Sequence, residues 1–251
     1  MQTTHNTILI TGGGSGIGLA LAAAFYHLGN TVIICGRRDD KLRAAQALLP
    51  GVHTRICDVA DAHQREELAE WAKQQFPALN VLVNNAGIQR ELHFGNGTVP
   101  PDVAREISTN LTAPLHLTAL LVPHLLRQPE AAILNITSGL GFIPMAAMPV
   151  YCATKAALHS LSNSLRHQLR TTTVKVFEIA PPIVDTDLDA GARDGRGQQD
   201  RGIPAEDVAT ATVQALAANE YTAVIGMARG LYDASRSEKA DFVFGRLNQE
   251  N

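Results

Sequence analysis

Five glycines fall within the seven residues Gly12 to Gly18, between an apolar β-type run (Thr7 to Thr11) and a helical pattern (Ile17 to Leu28). A chain that turns through glycines from strand into helix has no Cβ atoms to keep a ligand off its backbone. The helix N-terminus then offers free N–H groups and a positive dipole end, which suits a phosphate. The glycines that fit are Gly12, Gly16 and Gly18, in G-x-x-x-G-x-G spacing, with Gly14, Ser15 and Ile17 completing the turn. Strict G-x-G-x-x-G spacing fails, because Ile17 stands at the third glycine. A P-loop fails as well, since no G-K-[ST] follows.

The rest of the chain repeats this alternation. Strands are expected at Thr31 to Cys35, His53 to Cys57, Val81 to Asn84, Ala131 to Thr137, Val174 to Ile179 and Thr222 to Ile225. Helical patterns lie between them at Asp39 to Leu48, Asp61 to Phe76, Asp102 to Leu126, Tyr151 to Arg170 and Pro204 to Ala218. Alternating strands and helices form βαβ units and a mostly parallel sheet. Continuous apolar strands such as Val32-Ile33-Ile34 and Val81-Leu82-Val83 need cover on both faces. The expected fold is therefore α/β: a Rossmann-type doubly wound parallel sheet of about seven strands flanked by helices. One domain is expected over residues 1–251, with a dinucleotide-binding half at about 1–137 and a catalytic and substrate half at about 138–251. Asp185 to Gly202 breaks the rhythm with four glycines among charges. Its place after the sixth strand makes residues 187–202 a candidate lid.

Composition narrows the partners. The 251 residues carry 21 Lys and Arg against 24 Asp and Glu, a net charge of −3, with no basic run, so nucleic acid is not an expected partner. The densest apolar stretch, Ala119 to Leu126, is far below the ~20 residues of a spanning helix, so no membrane partner is expected. Three cysteines (Cys35, Cys57, Cys152) and a polar start fit a reduced, cytoplasmic location better than a disulfide framework. Cys35 and Cys57 each close an apolar run and read as inert buried neighbours. Trp71, among Leu68, Ala72 and Phe76 at helical spacing, reads as part of a core stripe.

Two further signals carry chemistry. Arg37 stands nineteen residues past Gly18, where dinucleotide sites usually test the ribose. An acid there would hold a 2′-hydroxyl; a guanidinium suits a 2′-phosphate, which favours NADP(H) with NAD(H) as the lesser option. Tyr151 and Lys155 lie one helical turn apart, and a nearby ammonium favours the phenolate. Ser138 follows the fifth strand and faces the same crevice as Tyr151.

On these residues the chain resembles the short-chain dehydrogenase/reductases, in their short single-domain branch. The match includes Thr11 to Gly18, Asp58, Asn84-Asn85-Ala86-Gly87, Asn110, Ser138 and Tyr151 with Lys155. Segments such as Gly87-Ile88-Gln89-Arg90 and Ala180 to Thr186 look like the DltE-like subgroup. The resemblance implies hydride transfer between a nicotinamide cofactor and a small carbonyl compound or secondary alcohol. It implies Tyr151 as general acid or base, Lys155 as the group that lowers its pKa, and Ser138 as holder of the substrate oxygen. Asn110 would position a relay water. Asp58 and Val59 would hold the adenine. Asn85, Ala86 and Gly87 would line the cofactor, and Pro181, Val184 and Thr186 would meet its nicotinamide end. Substrate contacts are expected from Ser138, Gly139, Leu140, Gln89, Met148 and Ile183.

The chain departs from the family at Pro181-Pro182, where Pro-Gly is usual, and at Gly226-Met227-Ala228-Arg229, where Asp-Gly-Gly is frequent. No H-E-x-x-H or C-x-x-C is present, so no metal is expected, and His159 and His167 read as ordinary helix residues. G-x-S-x-G fails at Ile17, against a hydrolase. The alternative is a non-catalytic NAD(P)-binding sensor on the same fold. A homo-oligomer, tetramer or dimer, is expected through helices bearing Leu111, Leu115, Leu158, Leu161 and Leu165.

Overall fold

Along β1 (Thr7–Thr11) the side chains alternate between two separate cores: Ile8 and Ile10 enter one, Leu9 the other. β2 (Thr31–Gly36) does the same, with Val32 and Ile34 on one face and Ile33 and Cys35 on the opposite face. A strand with period-two side chains and both faces apolar must lie between two helical layers. The computed structural model describes residues 1–96, 102–188 and 201–248 of the chain.

Seven parallel strands form one sheet in the order β3-β2-β1-β4-β5-β6-β7. The others are β3 (His53–Ile56), β4 (Leu79–Asn84), β5 (Ala131–Ile136), β6 (Val174–Ala180) and β7 (Thr222–Val224). On one face α1 (Gly16–His27), α2 (Asp39–Leu48) and α7 (Ala205–Ala218) cover the first core. On the other, α3 (Ala62–Gln75) and α5 (Ala113–Leu125) cover the second. The strand order reverses between β1 and β4, which opens a crevice at the carboxyl ends of the strands.

Several local expectations shift for physical reasons. The helix expected over Asp102 to Leu126 is three pieces: α4 (Val103–Ile107), a π turn (Ser108–Thr112) and α5. The Ala113 N–H reaches back five residues to the Ser108 carbonyl, and Pro114 has no N–H for the Asn110 carbonyl four residues back. Cys57 lies just past β3, with its N–H on the Gly36 carbonyl; it and Cys35 are buried, free thiols. Trp71 is half-buried against the second core, with the Arg55 guanidinium 5.2 Å over its ring. After β7 the sequence reading assigned no helix, yet α8 (Ala228–Ala234) and α9 (Ala240–Leu247) follow. Both are short, and the hydrophobic periods of such short helices are hard to tell from chance. The candidate lid at 187–202 lies outside the described residues apart from its ends. No helix among the described residues is long and apolar enough to cross a membrane.

Candidate active site

A cleft of about 750 Å³ runs across the carboxyl ends of the strands, from the glycine turn to α8. The turn is held open by backbone that other residues rarely adopt: Gly12 has φ +67° and Gly16 φ +53°. Asn85 and Thr11 stitch the β1 and β4 ends together. The Thr11 hydroxyl accepts from the Asn85 and Ala86 N–H groups (3.0 and 3.1 Å), while Asn85 Nδ2 donates to the Thr11 carbonyl at 2.9 Å. Gly12, Gly14, Ser15, Gly16 and Ile17 line the cleft. Gly18 does not. It lets α1 pack on the turn, since a Cβ there would lie 2.3 Å from the Gly12 carbonyl oxygen.

Cations gather at the turn. Arg37 lines the cleft as expected, and the structure adds Arg38 and Lys41. Arg38 is the one that bridges to the turn, its guanidinium 3.1 Å from the Ser15 hydroxyl. Its signal in the sequence was three cations within five residues at the start of α2. Asp58 and Val59 also line this end. The Asp58 carboxylate pairs with Arg105 and accepts the Ala60 N–H at 3.0 Å, so Arg105 is a further neighbour that spacing did not reveal.

At the other end lie Ser138, Gly139, Leu140, Gln89, Met148, Tyr151, Lys155, Pro181 and Ile183. Ser138 accepts the Leu140 N–H at 3.1 Å, and Gln89 reaches Met148 with its amide. The turn after Ser138 is gripped from two sides. A Cβ at Gly139 would meet Ala228 of α8 at 2.9 Å, and one at Gly141 would meet the Lys155 backbone at 3.0 Å. So the departure at Gly226 to Arg229 builds a helix against the serine turn. Pro182 leaves the path intact: the Pro181 carbonyl takes the Gly139 N–H at 3.0 Å, and Val184 bridges to Ile203. Val184 and Thr186 line the cleft.

Tyr151 and Lys155 occupy successive turns of α6 (Pro149–Gln168). The Lys155 ammonium lies 5.6 Å from the Tyr151 ring centre and donates to the Ile136 carbonyl at 2.7 Å. Full burial pushes the amine down to about 8.

Asn110 is buried beside this pair but does not line the cleft. Its amide clasps Ile88, accepting the N–H at 2.9 Å and donating to the carbonyl at 2.8 Å, and it donates to Thr154 at 3.2 Å. His159, read as an ordinary helix residue, instead meets the fully buried Glu178 at 2.8 Å. Arg166 bonds Asn163 Oδ1 at 3.0 Å, which turns the Asn163 amide nitrogen toward His159 Nε2 at 3.2 Å. His159 Nδ1–H thus donates to Glu178. Glu178 also accepts the Thr137 hydroxyl at 2.9 Å, fixing the residue before Ser138. Among the described residues no cluster of His, Cys, Asp or Glu has the form of a metal site.

Known proteins share this plan. A family model described as short chain dehydrogenase matches residues 6–197. The chain is 53% identical to "Uncharacterized oxidoreductase DltE" of Bacillus subtilis (strain 168), with 100% of each covered. A Burkholderia phymatum short chain dehydrogenase/reductase solved in complex with NAD superposes with TM-score 0.87 at 24% identity, over 100% of this chain and 99% of that one. A Burkholderia cenocepacia J2315 short chain dehydrogenase in complex with NADP gives TM-score 0.85 at 23% identity, over 100% of both. Sequence, cleft and topology agree: the chain belongs to the short-chain dehydrogenase/reductase family of oxidoreductases.

Proposed function

We propose that this protein transfers hydride between NADP(H) and a small carbonyl compound or secondary alcohol. The observation that carries the reading is one continuous cleft. It has a cation-rimmed glycine turn at one end and Ser138, Tyr151 and Lys155 at the other. The turn suits a dinucleotide, because Gly12, Gly14 and Gly16 line the cleft without a Cβ, and at Gly12 and Gly16 one would crowd Ala86 at 2.9 Å and Thr186 at 3.0 Å. Arg37, Arg38 and Lys41 are the residues for a 2′-phosphate, which supports NADP(H) over NAD(H). When bound, the cofactor supplies or accepts the hydride.

The protein's own part is positioning and proton transfer. Ser138 holds the substrate oxygen and opposes its developing charge. Tyr151 gives that oxygen a proton in reduction and takes it in oxidation. Lys155 lowers the Tyr151 pKa by its charge, and the Ile136 carbonyl fixes the ammonium in place. Asn110, clasping Ile88 from behind, holds the wall after β4 and positions a relay water beside Lys155. Assembly into a dimer or tetramer is part of the reading. Leu115 is half-exposed and Leu111, Leu161 and Leu165 are partly so, whereas Leu158 is core.

Titrating the purified protein with NADPH and NADH tests the reading. Much tighter NADPH binding is expected, and Tyr151→Phe should keep that binding while losing turnover of a ketone panel. Equal or tighter NADH binding overturns the cofactor preference. Binding by the wild type without turnover of any carbonyl favours the sensor alternative. Failure to bind either cofactor overturns the oxidoreductase reading.

A further inference from the structure

Behind the substrate end of the cleft lies a second cavity of about 80 Å³, bordered by Arg90, Leu92, Val103, Glu106 and Val150. Arg90 borders both spaces. Glu106, on α4, is 1% exposed. Its carboxyl accepts the Arg90 backbone N–H, and its Oε1 has no hydrogen-bond partner. A buried carboxyl with one oxygen unused is costly unless it serves something. Nothing in the mechanism above uses it.

Arg90 is half-buried, and its guanidinium donates to the Gln89 carbonyl at 2.8 Å. The cleft that Arg90 borders is lined at this end by Leu140, Met145, Met148, Ile183 and Leu188, with Asp185 and Asp187 beside the last. Lys155, the other cation lining this end among the described residues, is committed to Ile136. A guanidinium in an apolar wall is the group best shaped to take a carboxylate through two parallel bonds.

We propose that Arg90 and Glu106 form a specificity-determining pair, in which Arg90 accepts an anionic group of the substrate and Glu106, behind it, controls that charge. The proposal deepens the dehydrogenase reading and rests on it for the reaction. It assigns the substrate class as an apolar carbonyl or alcohol compound that also bears a carboxylate or similar monoanion.

The charges around Glu106 support the control. Burial pushes its pKa up to about 7, while the Arg90 N–H and guanidinium draw it down and Asp102 raises it. The other ionisable groups facing it are Glu91, beside Arg90 on the cavity wall, and Cys152 on α6. Below about pH 7 Glu106 is neutral, and the Arg90 charge is left for a ligand. Above it, the Glu106 carboxylate attracts the same guanidinium, so an incoming anion must compete. Preference for an anionic ligand therefore falls as pH rises through about 7.

Two probes of one shape test this: 4-acetylbenzoate and 4-acetylbenzamide. Their binding is followed by ligand-detected NMR at pH 6.0 and 8.5, with and without NADP⁺. The wild type should bind the benzoate about tenfold more tightly than the amide at pH 6.0, as one charge-assisted contact provides, and lose most of that preference at pH 8.5. Arg90→Gln should abolish the preference without weakening the amide. Glu106→Gln should keep the preference and remove its pH dependence. Equal affinities at pH 6.0, no binding of either probe, or a preference that survives Arg90→Gln overturns the proposal. A pH dependence that survives Glu106→Gln overturns the control by Glu106. Failure of NADP⁺ to bind overturns the dehydrogenase reading instead, and the titration without NADP⁺ still reports on Arg90. Should Glu106→Gln not fold, the Arg90→Gln comparison decides.

Discussion

The Lys155 ammonium lies 2.7 Å from the Ile136 carbonyl oxygen and so ties α6 to the strand that ends just before Ser138. One bond thus sets the spacing between the two elements that carry the proposed acid–base group and the proposed oxygen holder. It also keeps a charge in a fully buried place, with consequences for stability.

Burial lowers the Lys155 pKa from 10.5 to about 8. A lowered amine pKa means that the folded state binds protons less readily than the unfolded one. The penalty is fully present below about pH 8 and is relieved as pH rises from there toward 10.5. At pH 7 it is on the order of 3 kcal/mol, partly offset by the bond to Ile136. Lys155→Met should therefore stabilise the cofactor-free protein by about 1–2 kcal/mol at pH 7, while ending turnover. Urea unfolding at pH 7 and pH 10 checks this. A variant less stable than the wild type at pH 7 contradicts it.

Gly18 and Gly230 are opposite cases of one substitution. Gly18→Ala would drive a Cβ to 2.3 Å from the Gly12 carbonyl oxygen, so α1 must shift from the turn. A loss of about 3 kcal/mol or more and weaker NADPH binding are expected. Gly230, within α8, has open space where its Cβ would lie. Gly230→Ala should gain about 0.5–1 kcal/mol from helix propensity. Thermal melts of the pair decide it.

Arg38, rather than Arg37 alone, reaches the glycine turn through Ser15, so under the proposed NADP(H) preference it would tie the 2′-phosphate to that turn. Arg38→Ala should weaken NADPH binding about tenfold or more and leave NADH binding nearly unchanged. Fluorescence titration with both cofactors measures the difference. An equal loss for both would assign Arg38 to the turn's architecture instead of to cofactor choice.

The Asp58–Arg105 pair is partly exposed, with side chains 27% and 40% accessible. Exposed pairs contribute little, so Arg105→Ala should change stability by less than about 1 kcal/mol. It should nonetheless alter cofactor affinity several-fold, because Asp58 then loses the partner that orients it in the cleft. Denaturation and cofactor titration of the same sample separate the two effects.

Much of the site was legible because its residues are bound to local patterns. A glycine turn between strand and helix, or a Tyr and a Lys one helical turn apart, keeps its local geometry wherever the chain then goes. Arg105, Arg90, Glu106 and the His159–Glu178 pair were not, since each draws its role from a partner on another element. Glu106 in the sequence is one more acidic residue on a polar helix turn; only packing against the segment after β4 buries it. The π turn around Asn110 was missed because Pro114, which leaves the Asn110 carbonyl without its donor four residues on, was read as an interior residue of one long helix.

The sequence by itself determined the alternation of apolar strands and helices, the glycine turn between β1 and α1, and the Tyr151–Lys155 spacing, because these depend on backbone freedom and side-chain periodicity over a few residues. Tertiary structure alone decided that Arg38 reaches Ser15, which carboxyls are buried, and how α8 closes against Gly139. Those outcomes follow from strand order and from desolvation, which arise only when distant segments meet.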